Sequence, residues 1–77
     1  MMVFDYKMEF EGMEFDLELR EHEDRTTHDK FRYALSLSIE GTETYYSSCI
    51  KRTKRRLSQD ERDNLMERTF NELMEEE

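Results

Sequence analysis

A chain of 77 residues has room for one small domain, residues 1–77, and for one thin core. Charged residues make up 42% of it and the formal net charge is −8, so nucleic acid and anionic membranes are repelled and the natural partners are basic. The lone cysteine, Cys49, excludes an intrachain disulfide and suits a reducing cytoplasm, and no apolar run approaches the ~20 residues of a membrane span.

The first seventeen or so residues after Val3 carry the clearest pattern. Phe4, Tyr6, Met8 and Phe10 alternate with Asp5, Lys7, Glu9 and Glu11; Met13, Phe15, Leu17 and Leu19 then alternate with Glu14, Asp16 and Glu18. Period-two alternation predicts two half-buried strands, and Glu11-Gly12 between them predicts a tight hairpin turn. Counting outward from that turn pairs Met8 with Phe15, Tyr6 with Leu17 and Phe4 with Leu19. All eight apolar side chains then share one face. The other face sets Glu9 against Glu14, Lys7 against Asp16 and Asp5 against Glu18. Like charges directly opposed on an antiparallel pair cost about 0.2–1 kcal/mol, so this face either serves solubility or presents carboxylates to something positive.

Residues 21–29, with Glu21, His22, Glu23 and Asp24 at their start, are polar without periodicity and read as a loop. Phe31, Tyr33, Leu35, Leu37 and Ile39 then alternate with Arg32, Ala34, Ser36 and Ser38, predicting a third strand. Glu40-Gly41 repeats the turn chemistry, and residues 42–50 predict a fourth strand, with Leu37 opposite Thr44, Leu35 opposite Tyr46 and Phe31 opposite Ile50. The reverse face of this hairpin carries only small residues, Ala34, Ser36, Ser38, Ser47 and Cys49, and is either solvated or an interface.

Five positive charges follow in Lys51–Arg56, and Ser58-Gln59-Asp60-Glu61 has the form of a capping box that starts a helix. Leu65, Met66, Phe70, Leu73 and Met74 give that helix one apolar stripe, with Asp60, Glu61, Glu67, Glu72 and Glu75 on the remainder. Two hairpins and then a helix predict an α+β fold, ββββα: a four-stranded antiparallel sheet with one C-terminal helix on its aromatic face. A core this small predicts marginal stability, relieved by homodimerisation.

Nothing in the chain converges on catalysis. Both glycines are used in turns, so there is no phosphate cradle, and His22 and His28 are spaced as in no zinc pattern. Cys49 paired with a histidine as nucleophile is less favoured than a small buried or interfacial cysteine. No enzyme activity, metal or cofactor is expected. The run Lys51–Arg56 has the composition of a phosphate-binding segment. It is flanked, however, by residues 1–24 with nine acids against two bases and by residues 58–77 with eight against two, so internal compensation is the favoured reading.

The acidic strand pair is the strongest functional feature of the chain. Carboxylates at i and i+2 repeat every ~6.8 Å, and two adjacent strands average one per ~3.4 Å, within about a factor of two of the charge spacing of duplex DNA. In its short length, strong acidity, lack of a catalytic motif and two carboxylate-rich elements, the chain resembles the small DNA-mimic proteins that bacteriophages make against host DNA-binding proteins. That group includes blockers of the nucleoid protein HU, uracil-DNA glycosylase inhibitors and some anti-CRISPR proteins. The resemblance is one of charge and layout over the whole chain, and Lys51–Arg56 departs from it. It implies an inhibitor in the host cytoplasm that binds a basic DNA-binding protein, of HU type first, without contacting nucleic acid or membrane itself. Asp5, Glu9, Glu11, Glu14, Asp16 and Glu18 would stand for phosphates, aided by Glu21, Glu23, Asp24, Glu67 and Glu72. The alternative is a small adaptor that binds a host protein through the open sheet face or an edge strand.

Overall fold

The computed structural model describes residues 1–26, 28–39 and 45–75, with side chains in the last stretch from Ser48 onward. Strands β1 (Met2–Phe10), β2 (Met13–Glu23), β3 (Phe31–Ile39) and β4 (Tyr45–Thr53) form one antiparallel sheet in the order β1-β2-β3-β4, and helix α1 (Gln59–Glu75) follows. This is the expected ββββα arrangement. Each strand lies beside its neighbour in sequence, so every connection is short and local.

The first hairpin has the register that its turn dictates: Met8 pairs with Phe15, Tyr6 with Leu17 and Phe4 with Leu19, while Glu9 pairs with Glu14, Lys7 with Asp16 and Asp5 with Glu18. Glu11 and Gly12 both have positive φ, 51° and 78°. Two positive φ angles are what a type I′ turn needs to match the twist of its strands. Glycine adopts that geometry freely and glutamate does not. Glu11→Asn is therefore expected to raise stability by about 0.5 kcal/mol, and Gly12→Ala to lower it by about 1 kcal/mol. No atom lies within 4 Å of a Cβ built on Gly12, so the second cost is conformational rather than steric. Urea midpoints that do not move in opposite directions for the two variants would contradict the turn assignment.

The strands depart from the expected pattern at two places. First, β2 does not end at Arg20. It runs to Glu23, with Glu21 opposite Tyr33, His22 opposite Arg32 and Glu23 opposite Phe31. The loop begins only at Asp24, whose carboxylate accepts bonds from the Thr26 backbone N–H (3.0 Å) and hydroxyl (2.7 Å), while the Asp24 N–H donates to the Lys30 carbonyl (2.8 Å). Second, the β3–β4 register is displaced by two residues: Leu37 pairs with Tyr46 and Leu35 with Ser48. An even displacement leaves every side chain on its own face, so alternation cannot distinguish the two registers. A bulge then intervenes, because Tyr33 pairs with Lys51 and Ala34 with Cys49, which leaves Ile50 without a partner and sets Phe31 opposite Thr53. The Glu40-Gly41 turn itself lies outside the described residues.

The core sits between the sheet and α1. Phe15, Leu17 and Leu19 of β2, Tyr33, Leu35 and Leu37 of β3, and Leu57, Leu65, Met66 and Phe70 are buried, and Phe15 meets Phe70 edge to face at 5.3 Å. The outer strand β1 supplies only half-buried side chains, Phe4, Tyr6, Met8 and Phe10. Met13, assigned to the same face by its alternation, lies exposed at the rim. The helix starts as its sequence dictates. The Ser58 hydroxyl accepts from the Glu61 N–H (3.3 Å) and the Glu61 carboxylate accepts from the Ser58 N–H (3.1 Å), a reciprocal capping box.

Candidate acidic partner-binding surface

Because α1 covers the aromatic face, the opposite face of the sheet is open. On it Asp5 and Glu9 of β1 stand beside Glu14, Asp16 and Glu18 of β2, from the Glu9–Glu14 rung next to the Glu11–Gly12 turn to the Asp5–Glu18 rung at mid-sheet. Asp5, Glu9, Glu14 and Asp16 are exposed, and Glu11 is exposed in the turn itself. Glu9 and Glu14 occupy one rung, the opposed like charges that the alternation predicts. The remainder is partly neutralised: Lys7 stands opposite Asp16, and Arg20 donates to Glu18 at 3.0 Å.

The helix contributes at the β1 edge. A groove of about 560 Å³ between β1 and α1 is lined by Tyr6, Met8, Glu9, Asp63, Glu67, Phe70 and Asn71. A smaller one beside it is lined by Asp5, Asp63 and Arg62 among others. The sheet acids and the helix acids lie on opposite layers, yet they meet around this edge. The edge is also latched. Tyr6 donates its hydroxyl proton to Asp63 (2.9 Å), and burial followed by that carboxylate pushes the Tyr6 phenol above its ordinary pKa. The Arg62 guanidinium lies 4.0 Å from the centroid of the Phe4 ring and donates to the Leu57 carbonyl (2.8 Å).

Four of the expected site residues do not join this group. Glu21 is 2% exposed and points into the helix-side layer, where it accepts from the Tyr33 hydroxyl (2.8 Å) and from Arg56 Nε (2.9 Å). Its place in the alternation after Leu17 and Leu19 puts it on the core face, so it is a structural carboxylate. Glu23 shares that parity and is tied to Arg25 (3.0 Å). Asp24 holds the loop through Thr26, and those bonds, aided by Arg32 and Arg52, keep its carboxyl below the ordinary range. Glu72 is exposed one turn beyond Arg68, which lines a third groove with Lys51 and Glu61 on the far flank of α1. The residue missed in the sequence is Asp63. Its spacing of four from Glu67 marks one helix flank, but nothing in the sequence says that this flank faces β1.

Two of the five cations of the basic run, Arg55 and Arg56, are compensated from within the chain, and all five stay exposed. Arg55 makes a bidentate pair with Glu61 (2.8 and 2.9 Å), and Arg56 combines its bond to Glu21 with a position over the Phe31 ring at 5.3 Å. Arg55, and then the Ser58 cap, hold the Glu61 carboxyl at about 2 against an ordinary 4.5. A depressed acid stabilises the fold fully above its ordinary pKa and loses that contribution as pH falls through the folded value. The stability difference between the wild type and Glu61→Gln should therefore be constant above pH 4.5 and shrink between pH 4.5 and 2. Urea midpoints against pH measure it, and a difference that persists unchanged at pH 2 would contradict the assignment.

Among the described residues no group of three or more metal-ligating side chains comes together, and Cys49, expected buried or at an interface, is a free, exposed thiol. Among the described residues no helix is long and apolar enough to cross a membrane. Compared with protein-family models, with curated proteins and with solved structures, the chain matches none.

Proposed function

We propose that this protein is a DNA mimic: an inhibitor without catalytic activity that occupies the DNA-binding groove of a basic host protein in the cytoplasm, with an HU-type nucleoid protein as the first target to test. One observation carries the reading. The regular rung Glu9–Glu14 is opened to solvent at the same edge where Glu9 shares a groove with Asp63 and Glu67, so the two acidic regions of the chain converge on one border of the molecule. A rigid sheet and a helix docked on it hold those carboxylates at fixed spacing, which raises local field and association rate without a loss of ordering entropy on binding. The binding set is Asp5, Glu9, Glu11, Glu14, Asp16, Asp63 and Glu67, with Glu18 at its margin.

Affinity capture from a host lysate, washed at two salt concentrations, tests this. A basic DNA-binding protein retained at low salt and released at high salt is expected; retention of a neutral or acidic protein that salt does not release would overturn it. That second outcome belongs to the adaptor reading, which the exposed β1 edge, beginning with Met1, Met2 and Val3, and the half-buried small residues Ala34, Ser36 and Ser38 favour.

A further inference from the structure

The open face has a second pole, at the end of the sheet away from the Glu11–Gly12 turn. There His22 of β2 pairs with Arg32 of β3, and Arg32 pairs with Arg52 of β4, so one rung carries imidazole, guanidinium and guanidinium side by side. Directly opposed residues have Cα atoms about 4.5–5.5 Å apart. Both arginines are exposed. Like charges so placed repel, and the arrangement is the mirror image of the Glu9–Glu14 rung.

The neighbourhood offsets this charge only in part. Arg20, one rung inward, is already paired with Glu18 at 3.0 Å, and the rest of that rung is Ala34 and Cys49, too small to cover the guanidinium groups. The closest opposing group is Asp24, which feels both arginines but is engaged by Thr26. The Glu9–Glu14 rung is remote, and the nearer Glu18 is held by Arg20. Glu14 and His22 are eight residues apart on β2, ~27 Å at the rise of a strand, which is about three Debye lengths at physiological salt.

We propose that the His22–Arg32–Arg52 rung is an anion site for a compact phosphate group. Two arginines rooted one strand spacing apart can each bring a planar fork that donates two parallel bonds to a tetrahedral oxyanion, with the imidazole as a third donor. A small ligand is favoured over a nucleic-acid strand because the chain as a whole carries −8 and a long polyanion would run out of the positive end into repulsion. This site is separate from the mimic surface and does not depend on it.

The test is NMR titration of the full chain with inorganic phosphate at constant ionic strength, in the wild type and in an Arg32→Gln/Arg52→Gln variant. Saturable shifts confined to His22, Arg32, Arg52 and their strand neighbours are expected, with affinity at least tenfold lower in the variant. Phosphate should also raise the unfolding midpoint of the wild type and leave that of the variant unmoved. The variant removes two exposed groups whose mutual repulsion offsets their attraction for Asp24, so its midpoint without phosphate should lie close to that of the wild type, which keeps a folding defect from imitating the result. Shifts matched by sodium chloride at equal ionic strength, or unchanged in the variant, would overturn the site. Tighter binding of a single-stranded oligonucleotide lacking terminal phosphates would overturn the compact ligand in favour of a nucleic-acid surface.

Discussion

Arg56→Ala is expected to destabilise the protein by about 2–3 kcal/mol. The arginine is 54% exposed, but its partner Glu21 is 2% exposed, and the pair at 2.9 Å is the only ion pair made by that carboxylate among the described residues. Without Arg56, a buried charge is left with one neutral donor, the Tyr33 hydroxyl. Removing one member of a fully buried pair costs about 3–5 kcal/mol; water entering where the half-exposed arginine stood brings the figure to the lower end. The contact over Phe31 is lost as well. For a domain of this size the change corresponds to a fall of roughly 10–20 °C in Tm. The double variant Glu21→Gln/Arg56→Ala should recover part of the loss, since a neutral amide needs no charged partner. Thermal melts of both variants measure it, and a single variant within about 0.5 kcal/mol of the wild type would show that the pair is not structural.

The same cluster explains how the two ends of the chain are joined. The Tyr33 hydroxyl donates to Glu21 and accepts from the Leu57 N–H (2.8 Å), so strand β2, strand β3 and the segment leading into α1 share one oxygen. Burial, the largest influence, raises the Tyr33 phenol above its ordinary pKa, with the adjacent Glu21 adding to the effect. Leu57 is thereby fixed just ahead of Ser58, and the helix starts at the place and angle that bring Leu65, Met66 and Phe70 onto the sheet. The acidic groove depends on this in turn, because Asp63 and Glu67 reach the β1 edge only when the helix is set in that position.

The second large effect is on binding. Glu9→Lys/Glu14→Lys/Glu67→Lys should weaken the complex with the basic partner by at least about a hundredfold. Close charge pairs across an interface are worth roughly 1.5 kcal/mol or more each, and reversal turns attraction into repulsion. All three residues are exposed, and the substitutions replace one opposed pair by another of equal magnitude, so folding should be unaffected. Glu72→Lys/Glu75→Lys on the outer and far sides of the helix supplies the control, with a change of less than about threefold expected. Titration calorimetry at fixed salt measures both. Equal affinity for the triple variant and the wild type would favour the adaptor reading over charge mimicry.

Legibility from sequence differed between the two hairpins for a definite reason. In the first, Glu11-Gly12 is a two-residue turn, and that turn sets every pair out to Phe4 and Leu19. In the second, the strand faces were legible and the register was not, because a displacement by two preserves alternation and the bulge at Tyr33/Ala34 has no signature in residue type. Polarity misassigned Glu21, His22 and Glu23 to a loop. What holds them in a strand is tertiary: the core-side carboxylate of Glu21 finds Tyr33 and Arg56 from distant parts of the chain. The helix start was legible to the residue from the reciprocal needs of Ser58 and Glu61. Which flank of that helix meets β1, and hence the convergence of Glu9 with Asp63 and Glu67, required the packing itself.

The most direct test of charge mimicry is competition between this protein and duplex DNA for the captured basic protein, followed over a range of salt concentrations. For a mimic, DNA is displaced competitively, with no ternary complex, and log affinity falls linearly and steeply with log salt, as counterion release requires. A complex that forms alongside bound DNA, or one whose affinity does not change with salt, would contradict it.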